Sequence, residues 1–426
     1  MKKSRILTLL FSLFVLSFSA QQFDVSAEIR PRFESRHGYK SLIDSNQYAA
    51  NFISQRSRIN FDFSKSNLKM RISMQNVRVW GDVKTLSKAD MNNSLHEGWA
   101  QAILSKKTSL KMGRQEIIYD DHRIFGTVDW AQQARSHDAF IFKFTPNEKH
   151  RIDIGFAMNA NGITNVDTTL FNTNKGAEYK AFEYLWYHGK FDKVGLSFLL
   201  LNTNNEFLDE SDSTDIARTL DNLITVGPRV TYKKDKVNAD ISAYLQTGKS
   251  KNTAVNAMNI AANLGMKVSD NFKVGAGVEY LSGKAQNDTV ADIKSFKPLF
   301  GTNHKFNGLM DYFYVGNHGN SVGLMDINFL FAYKKDKLSV KMIPHLFSAA
   351  ADVVNNSGDV MDKALGTELD FVLGYKVSEG VTFNAGYSMM FATETMQQLK
   401  GGSADLSNNW GWVMFSFKPK LFSHKK

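Results

Sequence analysis

The chain has 426 residues, 12% of them aromatic, with 6 prolines, no cysteine and a formal net charge of +10. The lack of cysteine excludes a disulfide scaffold, and no run of about eighteen apolar residues marks a transmembrane helix. A basic chain without a recognisable nucleic-acid module does not point to nucleic acid.

Met1-Lys2-Lys3-Ser4-Arg5 opens the chain, and an apolar stretch over 6–18 follows it, then the small residues Ser19 and Ala20. A basic start, a short apolar core and small residues before a cut predict a secretory signal peptide over 1–20, cleaved after Ala20. The core is too short to span a bilayer, which takes about 20 residues. Residues 21–426 hold no Pro/Ser-rich linker and are read as one domain.

From Phe23 onward, apolar and polar residues alternate. Ile152, Ile154, Phe156 and Met158 alternate with Arg151, Asp153, Gly155 and Asn159. Val237, Ala239, Ile241, Ala243 and Leu245 alternate with Asn238, Asp240, Ser242, Tyr244 and Gln246. Leu365, Thr367, Leu369, Phe371 and Leu373 alternate with Gly366, Glu368, Asp370 and Gly374. Period two means a strand with one apolar and one polar face. About eighteen such segments run along the chain, beginning near Phe23, Asn51, Asn67, Ser94, Thr108, Gln133, Lys149, Ala177, Lys193, Thr219, Lys236, Ala254, Asn271, His318, Lys337, Asp362, Gly380 and Asn408. Short polar turns such as Lys234-Asp235-Lys236 and Lys335-Asp336-Lys337 alternate with longer connections over 36–50, 81–93, 120–132, 160–176, 203–218, 283–317, 350–361 and 393–407. This rhythm predicts an all-β fold: a transmembrane antiparallel β-barrel of about 18 strands in the outer membrane of a Gram-negative bacterium. Its short turns and both termini are periplasmic, its long loops are external, and outer-membrane lipids are its surroundings. A soluble sandwich or propeller also alternates but needs no apolar outer band on nearly every strand. Trp80, Trp130, Trp410 and Trp412 fall at strand ends beside the external loops, where indoles favour the membrane–water interface.

Of fourteen arginines, eleven lie between Arg30 and Arg151. In the first segment Val25, Ala27, Ile29 and Phe33 share one face and Glu28, Arg30, Arg32 and Glu34 the other. In the second, Ile59, Phe61 and Phe63 oppose Arg56, Arg58, Asn60 and Asp62, and in the third Met70, Ile72 and Met74 oppose Arg71. A charge on the lipid face costs about 2–4 kcal/mol at midplane, so these arginines are expected to face the lumen. Guanidinium stays charged and offers a planar fork to carboxylates or phosphates, and a ring of such groups selects anions. Glu28, Glu34 and Asp153 have the parity to stand among the arginines and temper the field. Scaffolding charge inside a water-filled barrel is the plainer alternative.

Residues 111–140 contain Gly113-Arg114-Gln115, then Tyr119, Arg123, Gly126, Trp130, Arg135 and Asp138. With Arg30-Pro31-Arg32-Phe33-Glu34, the Arg56/Arg58 pair, Val79-Trp80-Gly81-Asp82 and Leu365-Gly366-Thr367-Glu368-Leu369-Asp370, this pattern resembles the alginate-export family of outer-membrane porins, over most of the mature chain. The resemblance implies an eighteen-stranded monomeric barrel with an electropositive constriction for a uronate-type polymer. It carries over to Arg30, Arg32, Arg56, Arg58, Arg71, Arg114, Arg123, Arg135 and Arg151 as pore residues. Read from the residues alone, Gly113 permits a bulge that re-aims Arg114 and Gln115 inward. Arg123, Trp130 and Arg135 then bracket a loop that either lines the pore or is pinned by Asp120, Asp121 and Asp138.

No Gly-x-Ser-x-Gly elbow, His-Glu-x-x-His or phosphate-binding loop is present, so neither an enzyme nor a cofactor is expected. His122 and His137 beside Asp121 and Asp138 are more simply solvated or salt-linked than metal ligands, and the acidic run Asp209, Glu210, Asp212 and Asp215 lacks the EF-hand pattern. The expected function is passage or export of an anionic saccharide or other organic anion. The alternatives are a surface adhesin or receptor with a plugged lumen and a rim hydrolase.

Overall fold

The computed structural model describes residues 21–163, 179–209, 217–313 and 322–425. The expected leader, 1–20, lies outside them. The first half of the sheet comprises β1 (Gln21–His37), β2 (Ala50–Lys65), β3 (Leu68–Val79), β4 (Asn93–Ile103), β5 (Thr108–Gln115), β6 (His137–Asn147), β7 (His150–Met158), β8 (Ala181–Phe191) and β9 (Val194–Asn204). A ribbon of β10 (Glu206–Asp209) and β11 (Ala217–Leu220) stands apart from it. The second half comprises β12 (Leu223–Lys234), β13 (Val237–Ser250), β14 (Thr253–Lys267), β15 (Phe272–Leu281), β16 (Leu324–Lys335), β17 (Leu338–Ser348), β18 (Ala364–Ser378), β19 (Val381–Ala392) and β20 (Asn408–Phe417). Beyond Pro419, β21 (Lys420–Lys425) prolongs β20.

Each barrel strand pairs antiparallel with its neighbours, β9 pairs with β12 across the ribbon, and both β20 and β21 pair with β1. The ring is closed and, with β20 and β21 taken as one broken strand, 18-stranded. Closure removes the edge strands that an open sheet this large would expose. It also satisfies the backbone polar groups strand to strand, which hydrocarbon demands.

Side-chain parity follows the sequence. Ile72, Ile154, Ile241, Leu245, Leu264 and Phe329 point outward and are exposed, while Ser73, Asp153, Ser242 and Gln246 are buried inside. An apolar exterior of this extent is a liability in water. In a bilayer it is the barrel's lipid-facing band.

One end carries two- to four-residue turns. Asp235 (φ 51°) and Asp336 (φ 50°) open two of them and Gly380 (φ 69°) closes a third, in the left-handed conformation that tight hairpins require. The other end carries the long loops, with one exception that the sequence reading lacked: β13 and β14 are joined by Lys251 and Asn252 alone. The segments expected near Gln133, Ala177, Thr219 and His318 begin later, at His137, Ala181, Leu223 and Leu324. A seven-residue helix, α1 (Glu394–Lys400), capped by the Thr393 side chain, lies in the loop before β20.

Three of the four tryptophans expected at the membrane interface are elsewhere. In the register β1–β20, Glu34 faces Trp412 and Arg36 faces Trp410, so both indoles share the inward face. Trp130, Trp410 and Trp412 pack on one another, with ring centroids 4.8–6.1 Å apart. Trp80 stands exposed at the end of β3. Two long loops, 116–136 and 282–313, fold into the loop-side half of the barrel. They meet at a parallel bridge between Phe125 and Phe300, packed against Phe182 and Leu201 of the wall.

Candidate functional site in the lumen

The arginines of β1 and β2 face the lumen, as parity requires. Arg30 lies directly across the ladder from Arg56, and Glu28 from Arg58. Two guanidinium groups on opposed positions repel, so compensation has to come from nearby. It comes from loop 116–136. The Asp129 carboxylate accepts from Arg56 at 2.8 Å and from Arg30 at 3.2 Å. Backbone carbonyls complete the cover: Arg30 donates to Asp129 O, Arg32 to Trp130 O at 2.6 Å and Arg56 to Gln132 O. Arg32 lies 3.8 Å from the centre of the Trp130 ring, a cation–π contact. Glu28 accepts from Arg56 at 2.9 Å. Glu34 takes Arg32 and Arg36 and also receives the Trp410 indole N–H. Burial by itself raises the Asp129 carboxyl, but Arg56 and Arg30 outweigh it and hold it at about 2.

The far wall has the opposite sign. Glu279, Asp326, Glu368 and Asp370 project inward from β15, β16 and β18 around His345, which pairs with Asp326 at 2.9 Å. These carboxylates hold the second loop: the backbone N–H of Leu309 donates to Asp370 and that of Met310 to Glu368, and the Asn307 side-chain amide donates to Glu279. Arg123 of the first loop crosses to this wall, pairing with Glu279 at 2.7 Å and donating to Asn307. His304 stacks on Trp130 at 4.6 Å and pairs with Asp311, which also receives the Tyr39 hydroxyl. Burial and Asp311 push the Tyr39 hydroxyl well above its ordinary value.

The two loops divide the lumen. A cavity of about 540 Å³ opens on the loop side, lined by Arg32, Arg36, Lys40, Arg78, Trp130 and Asp311 among others. Another, of about 390 Å³, lies toward the turns, with Arg123, Lys273, Lys305, Glu279, Asp326 and Asp370 in its wall.

The remaining expected site residues have distinct places. Arg58 donates only to the Gln75 amide, and among the described residues no carboxylate comes within 4 Å of it. Arg71 lies between Asp62 (2.7 Å) and Glu97 (3.1 Å). Arg151 chelates Asp153, which also accepts from the Tyr119 hydroxyl. Arg135 donates to Gly301 O and ties the loops together. Arg114 differs from expectation. Gly113 has φ 111° and lets the Gly98 carbonyl approach where a Cβ would clash, but the pairing does not slip there. Arg114 therefore keeps the outward face of Met112 and Phe140 and pairs with Asp138, while Gln115 is buried inside. His137 is buried against Tyr179, Phe182 and Phe300. Asp209 accepts from Asn252, and Glu210, Asp212 and Asp215 lie outside the described residues.

Several lumen groups were not anticipated. Asp129 stands beside Trp130 in the 111–140 segment but carries no sequence signal of its own. Lys69, Lys111 and Lys143 share the lumen face with Arg71: Lys69 and Lys111 both face Gln101 across the ladder, and Lys143 faces Ser109. Lys111 lies 3.9 Å over the Trp99 ring. Among the described residues none of the three has a carboxylate within 4 Å.

A closed antiparallel barrel with an apolar exterior, a charged lumen and inward-folded loops defines an outer-membrane β-barrel porin. The family description "Alginate export" matches residues 21–408, and the chain belongs to that family. No protein of curated function matches the sequence. Among solved structures it is similar to OccAB4 of Acinetobacter baumannii, at 13% identity and TM-score 0.63, over 94% of this chain and 98% of that one. It is likewise similar to OpdK of Pseudomonas aeruginosa, at 10% identity and TM-score 0.61, over 95% and 99%. An OpdK structure with vanillate matches at 11% identity and TM-score 0.60, over 95% and 99%.

Proposed function

We propose that this porin passes anionic organic solutes, with a uronate-type saccharide as the first candidate, and acts as a monomer. The observation that carries this reading is the track of Arg58, Lys69, Lys111 and Lys143 on the lumen face of β2, β3, β5 and β6, cations without a carboxylate within 4 Å among the described residues. Cations on one wall, Lys69 exposed and Arg58, Lys111 and Lys143 half-buried, opposite the carboxylates of β15, β16 and β18, draw an anion along that wall. The arginine-lined pore is in this reading divided. Arg30, Arg32, Arg56 and Arg123 fasten loops to the wall, and Arg58 with the lysines forms the open track. The vanillate in OpdK, a carboxylate in a barrel of the same fold, is compatible with this class of cargo. Block of single-channel current by galacturonate and its oligomers tests it. Half-block at lower concentration than for the neutral sugar galactose is expected, and equal block by both overturns it.

A second reading has its own observation. Loops 116–136 and 282–313 fill much of the loop-side lumen, as in a surface receptor with a plugged barrel. Negligible conductance of the purified protein would favour that reading.

A further inference from the structure

The cluster at Asp129 has an unusual distribution of exposure. The Arg30 and Arg56 side chains are 5% and 1% exposed, while the Asp129 carboxylate that bridges them is 50% exposed. The carboxylate is thus the solvent-facing part of the cluster, and the two guanidinium groups lie behind it. The guanidinium pair is also incompletely used: Arg56 Nε is buried with no hydrogen-bond partner. The loop does not depend on the carboxylate to stay in place. Arg30 holds Asp129 O at 2.7 Å and Gln132 Oε1 at 3.1 Å, Arg32 holds Trp130 O, Gln132 donates to Ser54, and Val128 N donates to Thr302. The residue before Asp129 is Val128, a β-branched side chain at φ 51°, a conformation that only its surroundings can impose.

From this geometry we propose that the Arg30–Arg56 pair is a carboxylate-binding site whose resident occupant is Asp129, tethered by loop 116–136 and exchangeable for the carboxylate of a passing solute. Rotation about the Asp129 Cα–Cβ bond frees the guanidinium fork while the carbonyl contacts keep the loop seated. Together with Glu28, the resident carboxylate balances the two guanidinium charges when no solute is present, and it competes with the solute once one arrives. Two arginines facing each other across the ladder would otherwise hold an organic anion too long for conduction. The inference rests on the anion reading above for its role in transport, but binding at the site is tested apart from transport.

The test uses Asp129→Ala and Asp129→Ser in the full-length barrel, with acetate and galacturonate as probes and chloride at equal ionic strength as the control. Thermal unfolding in detergent is the first readout. Both variants are expected to be stabilised by acetate over chloride, and the wild type much less so, because the freed site binds the added carboxylate in the folded state alone. Current block is the second. The half-block concentration of galacturonate is expected to fall about tenfold in the variants, the factor that one charge-assisted hydrogen bond supplies. Adding Arg56→Gln to Asp129→Ser should abolish both gains. If acetate and chloride stabilise the variants equally, the site does not exist, whatever the channel's selectivity. If acetate stabilises them but the wild-type pore prefers cations, the site stands and the transport reading fails.

Discussion

Arg123 of loop 116–136 and Glu279 of β15 meet 2.7 Å apart inside the lumen, with side chains 2% and 8% exposed. The pair joins an inward loop to the wall opposite the one that holds Asp129. Removing one partner of a buried pair leaves an uncompensated charge, at a cost of about 3–5 kcal/mol. Asn259 and Asn307 also donate to Glu279, so Arg123→Ala is expected near the lower end of that range. A lower thermal unfolding midpoint and greater open-channel noise should accompany it. Unchanged noise and stability would mean that the crossing contact does not hold the loop.

Arg56 and Arg58 lie two residues apart on one face of β2, yet their surroundings assign them different work. Arg56 touches Glu28, Asp129 and Gln132, whereas Arg58 touches Gln75 alone. Arg56→Gln is expected to destabilise the folded barrel by about 3 kcal/mol or more. Arg58→Gln should cost well under about 1 kcal/mol, as substitutions outside buried networks do, while weakening anion preference. Unfolding and reversal potential measured on both variants separate the roles, and equal stability losses would contradict the division.

The Asp129 contacts set a pH window. Its carboxyl is held at about 2, below the ordinary value of 3.8, so its bridge to Arg56 and Arg30 is fully present above about pH 4 and is lost as pH falls through 2. The thermal unfolding midpoint is expected to stay flat from neutral pH to about 4 and to fall only near pH 2–3, while loop 116–136 stays protease-resistant because its carbonyl contacts persist. Loosening already at pH 5–6 would assign the loop's hold to a histidine instead.

Membrane orientation is tested by a pair on neighbouring strands. Leu245 of β13 points outward and Asn263 of β14 inward. Leu245→Arg should lose about 2–4 kcal/mol in a bilayer, the cost of a lipid-facing arginine near midplane. Asn263→Arg, beside Asp240, should fold as the wild type does. Refolding into lipid vesicles reports both, and tolerance of Leu245→Arg would place that row away from hydrocarbon.

The barrel was legible because period two and the short–long connection rhythm are local properties. Each apolar row, such as Val237 to Leu245, announces its own face. Parity likewise placed Arg30, Arg32, Arg56, Arg58, Arg71 and Arg151 in the lumen without any knowledge of the partners. It failed where local signals compete. Trp410 and Trp412 look like interface anchors until the β1–β20 register sets them inside. Gly113 looks like a bulge, yet its positive φ admits a close carbonyl without shifting the pairing, so Arg114 stays outside. What the arginines touch was not legible. Asp129 lies 99 residues from Arg30 in sequence, and Asn307 lies 184 from Arg123. Such pairs are brought together only when the loops fold inward, and no periodicity records that.

The proposed path of anion conduction is the lumen wall of Arg58, Lys69, Lys111 and Lys143. The reversal potential of the purified barrel across a KCl gradient in a planar bilayer tests it most directly. A potential displaced toward the chloride equilibrium value is predicted, reduced or inverted by the double substitution Lys111→Glu with Lys143→Glu. A wild-type potential on the potassium side, or one that the double substitution does not move, would contradict it.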